Sequence, residues 1–327
     1  KIEFISTFGF YRNGNYNGAT FQGGKTGNCG IGILVRNICS NIEINGCNVY
    51  GFNYSGIQVG FLGDGNSDTV LQPYNRNVRI VNCSTYNNFS QGIGVMAVDG
   101  YEIENCNIFN NGHYDANWEL DGIMNPGYGI TCISAHSRAI NGTVKNNNVY
   151  GNNRKGIDTH GSDNLKIIGN NIYNNGISGI ALAYTFYPIK NTIIENNIIN
   201  NCGVASGIDS EVQGTSVNGI IASGDGVSGK LVIKNNILKD CGKNANTSRI
   251  GVDVVCKNAD VDISGNALLN CGEKHAVQLK CGNGTIDNNS IDGSDYTNGL
   301  YNLSGYDLTN NIKLSNNIFK GYSSKNY

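Results

Sequence analysis

One short pattern of apolar and polar positions recurs along the whole chain. It consists of an aliphatic residue, two variable residues, Asn or Cys, one further residue, and usually Ile or Val. Ten copies occur, at residues 44–47, 80–83, 103–106, 144–147, 167–170, 193–196, 232–235, 263–266, 286–289 and 314–317. From Cys83 to Cys106, and again from Asn147 to Asn170, the step is 23 residues. The other steps are mostly longer, which indicates the same unit with an inserted loop.

A second marker lies between these copies, namely a glycine followed by an aliphatic residue and a short alternating stretch. It occurs at Gly56, Gly92, Gly129, Gly156, Gly179, Gly219 and Gly251, with weaker copies at Ala276-Val277 and Gly299-Leu300. Short alternating segments with no helical periodicity between them predict β-strands. A unit of about 23 residues cannot bury its apolar face alone, so we expect successive units to stack as parallel coils.

These two patterns predict an all-β fold, a right-handed parallel β-helix (solenoid) of about ten coils that forms a single domain over residues 1–327. The alternative fold is an all-β sandwich or a propeller, but propeller blades of roughly 40 to 50 residues do not match the 23-residue step. We expect the Asn or Cys of each copy to face inward and to hydrogen-bond turn backbone and the next Asn in the stack. A second inward column is expected to contain Cys202, Cys241 and Cys271, with Asn111 and Asn175 in other coils.

Composition and charge exclude several classes of protein. The net charge is -2, and no Lys/Arg cluster forms a stripe, so nucleic acid and anionic membrane surfaces are not expected partners. No apolar run approaches the roughly 18 residues of a spanning helix. The 11 cysteines are odd in number and include no CxxC pair, which argues against a disulfide framework or a zinc site. Because no leader precedes Lys1, we expect a mature protein or an excised part of something longer.

The long insertions flank the Gly-Ile strands. Residues 112–128, 203–218 and 242–249 precede such strands, and residues 60–77 and 184–191 follow them, which predicts a groove walled by loops. Aromatic, carboxylate and amide side chains in these loops suit a sugar ligand. The expected substrate-binding residues there are Tyr114, Trp118, Glu119, Asp121, Tyr128, Tyr184, Tyr187 and Glu211. The alternative is that the aromatic rings only close the loops onto the solenoid.

The strongest candidate for chemistry is the segment Gly156-Ile157-Asp158-Thr159-His160. If Ile157 and Thr159 face inward, Asp158 and His160 point together into the groove, with side chains about 7 Å apart. A carboxylate beside an imidazole can transfer protons near neutral pH. Three nearby cations, Lys155, Arg154 and Arg138, could neutralise a substrate carboxylate, which suits proton abstraction next to that group.

Two alternatives remain open for this segment. The pair could be a solvated feature of the solenoid surface. Asp158 could also combine with a loop carboxylate in the acid/base pair of a glycoside hydrolase. The candidate partners for such a pair are Asp115, Glu119, Asp121, Asp209 and Glu211.

Over essentially its whole length the chain resembles the pectate-lyase-like β-helix superfamily, through its coil length, Asn ladder and Gly-Ile strands. Within that superfamily, residues 156–160 are similar to the Tyr-Gly-x-Asp-Pro-His motif of mannuronan C5-epimerases, although Lys155 and Thr159 replace its Tyr and Pro. The resemblance implies that His160 is the base and that Asp158 neutralises a carboxylate or acts as an acid.

The chain is also similar to the β-helix domains of phage tailspikes, which implies an extracellular or virion-associated location and a homotrimer. Related lyases and epimerases often use calcium, and Asp64, Asp68 and Asp225 could ligate it; no spaced ligand motif is present. We therefore expect a polysaccharide as the partner. The primary hypothesis is an enzyme that acts on an acidic polysaccharide by lyase or epimerase chemistry at Asp158, His160 and Lys155. The alternatives are a non-catalytic glycan-binding module and a glycoside hydrolase.

Overall fold

A computed structural model of the chain describes residues 2–3, 6–8, 31–36, 39–52, 54–60, 75–112, 127–132, 138–184, 187–203, 217–243, 249–272, 275–293, 301–303 and 311–320. Within these ranges the regular elements are all β-strands. The strands pair in parallel, each with its equivalents one coil before and after. The predicted all-β parallel solenoid is therefore confirmed.

The strands form three faces around one core. The first face contains the Gly-Ile strands: Ile31–Val35, Ser55–Val59, Gln91–Val95, Tyr128–Cys132, Lys155–Thr159, Ser178–Ala183, Val217–Ser223 and Tyr301–Leu303. The second face contains Ile2–Glu3, Ser40–Asn45, Asn75–Val81, Val98–Glu104, Ala139–Lys145, Ser162–Asp163, Lys166–Ile168, Ile189–Glu195, Val227–Lys234 and Asn311–Ser315. Two long strands, Arg249–Ser264 and His275–Asp287, run through both faces and join them into one 20-stranded sheet.

The third face is a separate sheet, with eleven strands of three residues each in the described part of the chain. Its strands are Ser6–Phe8, Asn48–Tyr50, Ser84–Tyr86, Asn107–Phe109, Asn148–Tyr150, Asn171–Tyr173, Ile198–Asn200, Ile237–Lys239, Ala267–Leu269, Ser290–Asp292 and Ile318–Lys320. Because the pairing is in register, like residues stack on like. On the outer side, for example, the rings of Tyr150 and Tyr173 lie 4.7 Å apart and nearly parallel.

The inward Asn ladder satisfies the backbone at one corner of the coils. Asn170 donates from both its backbone N and its Nδ2 to Oδ1 of Asn197, each at 2.9 Å. Asn197 in turn donates from Nδ2 to the carbonyl of Ile167 at 2.9 Å. Each ladder residue thus pairs turn groups that have no strand partner, and it links two coils at once.

Two positions of the predicted ladder were wrong by one residue. The sequence pattern assigned Asn196 and Asn235, whereas Asn197 and Asn236 are the buried members. Asn196 and Asn235 are exposed and have φ of 57° and 53°, the left-handed conformation that Asn tolerates well. In both coils two aliphatic residues precede two asparagines, so the pattern fits either register. The backbone turn decides which Asn faces inward.

The second inward column was predicted correctly and has further members. Asn111 Nδ2 donates to Asn152 Oδ1 at 2.8 Å, and Asn152 Nδ2 donates to Asn175 Oδ1 at 3.0 Å. The column continues through Cys202, with the Asn175 Nδ2 atom 3.7 Å from its Sγ. The ten cysteines in the described ranges are free thiols, and nine of them are buried. Most therefore serve as small core or ladder residues.

We predict that Asn197→Ala lowers the free energy of unfolding by about 2–4 kcal/mol, because it leaves the Asn170 N–H and the Ile167 carbonyl buried without partners. Asn196→Gly, one residue earlier, should change it by only a few tenths of a kcal/mol, since glycine accepts the left-handed turn. Denaturant unfolding of both variants measures the two values. Equal losses of unfolding free energy in the two variants would contradict the conclusion that Asn197, and not Asn196, faces inward.

Candidate functional site

The strand Lys155–Thr159 lies in the middle of the first face. Its glycine is required by a close approach: a Cβ on Gly156 would lie 2.6 Å from the carbonyl oxygen of Gly179 and 2.9 Å from Ile172 Cγ2. The chain therefore passes tightly over the core here, and Ile157 points into it, fully buried. Lys155 and Asp158 lie on the opposite, outer side of the strand.

Asp158 is the centre of a compact charged cluster, the Asp158 cluster, formed with Lys155 and His160. Lys155 Nζ donates to Asp158 Oδ1 at 2.9 Å, and His160 Nε2 lies 2.9 Å from Asp158 Oδ2. The side-chain heads therefore converge instead of standing about 7 Å apart as expected. The Asp158 side chain has no exposed surface, whereas 11% of Lys155 and 19% of His160 remain accessible.

The environment holds Asp158 in its charged form. Burial alone would raise the pKa of this carboxyl group, but the charges of Lys155 and His160 and their hydrogen bonds outweigh it and lower the pKa below its usual range. Asp158 is thus an ionised carboxylate at neutral pH. It was expected to point into an open groove, and instead its two neighbours lie over it. This geometry suits orientation of His160 better than direct contact with a ligand.

Arg154 and Tyr128 adjoin the cluster. Arg154 Nη1 donates to the Tyr128 hydroxyl at 2.6 Å, and the Arg154 guanidinium carbon lies 5.2 Å from the Tyr128 ring centroid. Lys155 Nζ lies 5.8 Å from the same centroid. The Tyr128 ring therefore contacts two cations, Arg154 and Lys155, next to a single buried carboxylate, Asp158. The two positive charges outnumber the one negative charge, so this part of the first face is positive.

The remaining predicted residues are distributed as follows. Arg138 pairs with Asp163 on the second face. Tyr187 packs against Gly161, next to His160, and Tyr184 is 41% exposed with its ring over Gly226. The other predicted binding residues, Tyr114, Trp118, Glu119, Asp121 and Glu211, lie outside the described residues. The same holds for most of four of the five loops predicted to wall the groove, whereas residues 184 and 187–191 of the fifth are described.

A buried polar network on the N-terminal side of the cluster was missed by sequence reasoning. Gln91 Nε2 donates to Ser55 Oγ at 2.8 Å and to Gln58 Oε1 at 2.6 Å, and Thr131 Oγ1 donates to Gln91 Oε1 at 2.5 Å. Thr131 is the register partner of Asp158 in the preceding coil. The sequence does contain a signal for this network, because a polar residue directly precedes Gly56 and Gly92. Lys155 occupies the same position before Gly156.

A second buried carboxyl group, also missed, lies in the same outward column as Asp158. The register runs from Asp158 through Ala181 and Ile221 to Asp253, three coils or about 14 Å away. Gln278 Nε2 donates to Asp253 Oδ1 at 2.9 Å. Burial raises the pKa of Asp253 to about 6, although the Gln278 hydrogen bond acts in the opposite direction.

Within the described ranges, no group of three or more His, Cys, Asp or Glu side chains is placed to hold a metal ion. Asp225 is exposed in a turn, where its carbonyl accepts from Asn258 Nδ2 at 2.7 Å. Asp64 and Asp68 lie in the part of the chain that is not described. Calcium therefore stays a prediction.

Comparison with known proteins supports the same architecture. A family model described as "Right handed beta helix region" matches residues 137–218, a segment that includes the Asp158 cluster. The chain folds as a right-handed parallel β-helix. No curated protein matches its sequence. In the described residues this β-helix has no helix long and apolar enough to cross a membrane.

Three solved structures share the fold at low identity. PfbA, a surface adhesin of Streptococcus pneumoniae, is 16% identical over 84% of this chain and 71% of its own, with a TM-score of 0.55. Tailspike protein 2 of Escherichia coli O157:H7 bacteriophage CAB120 is 16% identical over 81% of this chain and 34% of its own, with a TM-score of 0.51. The catalytic unit of the GH87 alpha-1,3-glucanase from Streptomyces thermodiastaticus is 14% identical over 87% and 49%, with a TM-score of 0.51. This chain thus spans less than half of the last two, and these likenesses show the fold alone.

We predict that Asp253→Asn raises the free energy of unfolding at mildly alkaline pH by on the order of 3 kcal/mol. The folded chain holds the Asp253 proton more tightly than the unfolded chain, whose pKa is near 3.8. The stability from this group is therefore present below pH about 4 and is lost as pH rises through about 6. The variant should match the native chain near pH 4.

Urea unfolding across this pH range tests the prediction. Asp262→Asn, which removes a half-buried carboxylate from the second face of the same strand, is the matched control for the loss of a carboxylate. A difference between Asp253→Asn and the native chain that stays constant with pH would contradict the assignment.

Proposed function

We propose that this β-helix binds an acidic polysaccharide at the Asp158 cluster and abstracts a proton next to a sugar carboxylate, as lyases and C5-epimerases do. The observation that carries the proposal is the 2.9 Å contact between His160 Nε2 and the buried, ionised Asp158. A carboxylate that accepts from Nε2–H favours the neutral tautomer whose Nδ1 is basic. His160 then has the orientation of a general base.

Asp158 supports this base and does not touch the substrate. It is fully buried and bonded on both oxygens, so it orients the imidazole and stabilises the imidazolium that forms when Nδ1 takes the proton. With its pKa lowered, Asp158 is not a proton donor at neutral pH. The epimerase motif implies that Asp158 is an acid or a neutraliser of a carboxylate. The environment of Asp158 suits a third role better, namely positioning the His160 ring.

The cations at the site supply the complementary charge. Proton loss next to a carboxylate builds negative charge on that group, and a fixed cation at the same place lowers the barrier. Lys155 and Arg154 both lie against Tyr128 beside His160, so two positive charges are concentrated at this place. A uronic acid unit would place its carboxylate toward these cations and its acidic C–H toward His160.

Two outcomes of the same step are open to this site. After proton loss, the glycosidic oxygen at the adjacent carbon leaves with the bonding electrons and takes a proton from water, which cleaves the chain and leaves an unsaturated sugar; this is lyase chemistry. Delivery of a proton from water to the opposite face of the same carbon inverts it, which is epimerase chemistry. Both need the same base and the same cations.

A glycosidase that pairs Asp158 with Asp253 is disfavoured. The two carboxyl groups lie about 14 Å apart by coil spacing, whereas paired carboxylates of glycosidases lie about 5 to 9.5 Å apart. A pair with Asp115, Glu119, Asp121, Asp209 or Glu211 would involve residues outside the described ranges.

The second candidate function is glycan binding without turnover. It is supported by the likeness to PfbA, a surface adhesin. The match covers 71% of the PfbA chain, a larger share than the 34% of the tailspike protein and the 49% of the glucanase unit. An adhesin or a tailspike works outside the cell or on a virion, so we infer the same location for this chain under either function. A homotrimer, expected from the tailspike resemblance, stays a prediction.

We predict that His160→Ala lowers kcat on the substrate polysaccharide by about 10²- to 10⁴-fold, while binding changes little. Asp158→Asn should cause a loss of similar size, because the wrong tautomer is then held. The assay uses pectate, alginate and other acidic polysaccharides, and it measures ultraviolet absorbance of unsaturated product, chain length, and proton exchange in heavy water. Exogenous imidazole should partly restore the His160→Ala variant, an effect that a structural role would not produce.

Each result decides between the candidates. Absorbance with shortening identifies a lyase, and exchange without shortening identifies an epimerase. Shortening without absorbance, retained by His160→Ala, would contradict proton abstraction and favour a hydrolase. Binding with neither product nor exchange on any of these polymers would favour the adhesin-like alternative.

A further inference from the structure

The third face changes its outward chemistry halfway along the solenoid. The middle residue of each strand points into the core, and the first and third residues point outward. In the N-terminal half the third position carries stacked rings, and the first position carries amides that hydrogen-bond one another from coil to coil. The outward residues of three successive coils there are all uncharged, namely Asn107, Phe109, Asn148, Tyr150, Asn171 and Tyr173.

The C-terminal half of the same face exposes aliphatic side chains. Ile198 and its register partner Ile237 are 49% and 50% exposed, and Leu269 in the adjacent column is 38% exposed. With Ile318, these residues lie within five successive coils and make up four of the seven large hydrophobic side chains exposed in the described ranges. Exposed apolar residues that cluster in this way mark a contact surface, whereas scattered ones are ordinary.

The shape of the third face suits contact with a second flat surface. From Tyr86 to Tyr173 the planes of successive stacked rings differ by only 8°, 2° and 3°. The face therefore twists little from one coil to the next, and two such faces can lie against each other along their length.

We infer that the third face is the interface of an antiparallel homodimer, with a twofold axis between the coils of Ile198 and Ile237. Such an axis lies in the interface at right angles to the solenoid. It sets each outward column against the same column of the second copy and reverses the order of the coils. Each Ile198 then lies opposite Ile237 of the second copy, and each Tyr173 lies opposite Leu269.

The two halves of the face complement each other in this arrangement. The exposed aliphatic side chains near the axis cover one another, which gives the interface an apolar centre. The charged residues in the described strands of the third face all lie in its C-terminal half, so each meets an uncharged residue of the second copy. Lys239 lies opposite Asn200, Asp292 opposite the Tyr150 hydroxyl, and Lys320 opposite the Phe109 ring. The last two pairs suit a hydrogen bond to a carboxylate and a cation–π contact.

A parallel dimer through the same face lacks this complementarity. A twofold axis along the solenoid sets the first position of each coil against the third position of the same coil. Ile237 would then lie opposite Lys239, and Ile318 opposite Lys320. Because these lysines would lose water against aliphatic side chains, the order of residues favours the antiparallel dimer.

The paired surface is large enough for a specific contact. It covers eight coils, from Asn107–Phe109 to Ile318–Lys320, or about 34 Å. A stretch of this length buries on the order of 1,000 Å² in total, the lower size of a specific interface. The first face lies on another side of the solenoid, so the dimer leaves both Asp158 clusters uncovered and does not depend on the proposed function.

Sedimentation over a range of protein concentrations tests the interface. We expect a particle of twice the 35.0 kDa chain mass, with a dissociation constant in the micromolar range. Ile237→Lys should raise that constant at least about tenfold, because it places ammonium groups in the apolar centre. Leu34→Lys is the matched control, since Leu34 is a 42% exposed aliphatic residue of the first face; it should leave the dimer unchanged.

A charge-pair variant tests the antiparallel register. Ile198→Lys and Ile237→Glu should each weaken the dimer when made alone. Combined in one chain, they place each lysine opposite a glutamate of the second copy. The double variant should therefore dimerise about threefold or more tightly than either single variant. Urea unfolding checks that all variants are folded.

Each other outcome counts against the inference. A native chain that stays monomeric up to about 100 μM overturns it. A particle of three chains also overturns it and favours the homotrimer expected from the tailspike resemblance. A dimer that tolerates Ile237→Lys excludes the third face as its interface, and a double variant weaker than both single variants excludes the antiparallel register.

Discussion

In-register stacking of coils is the constraint on which the rest of this molecule depends. Each strand has its hydrogen-bond partners one coil away, so every outward or inward position is repeated along the axis at about 4.8 Å. Corners between strands lack such partners, and inward Asn side chains such as Asn170 and Asn197 supply them. In its described part the fold therefore consists of strands and turns without helices or disulfides.

The same stacking builds the candidate site. Register alone aligns Thr131, Asp158 and Ala181 on one outward column, and only one of the three carries a charge. Asp158 tolerates full burial because Lys155 and His160 bond both of its oxygens. A paired buried charge is costly to assemble but well oriented once formed. A general base needs a fixed orientation, and Asp158 gives it to His160. A rigid solenoid coil therefore suits proton abstraction by His160.

Asymmetry along the axis distinguishes the two halves of the first face. Toward the N-terminus the outward column is closed by amides and hydroxyls that bond one another, with Gln91 at the centre. Toward the C-terminus small side chains such as Ala183 are partly exposed, and Asp253 accepts a hydrogen bond from Gln278. The paired strands of these coils share the same backbone register, so within the described strands the two stretches of the outward column differ in their side chains.

The sequence alone determined the repeat, the solenoid, the inward columns and the segment that carries Asp158 and His160, because all of these follow from periodicity along one chain. It did not determine which Asn of a pair faces inward in the coils of Asn197 and Asn236, since two registers fit the same letters. Nor did it predict that Asp158 is buried or that Asp253 shares its column. Those features depend on which residues become neighbours across coils 23 to about 40 positions apart, and only the tertiary structure decides that pairing.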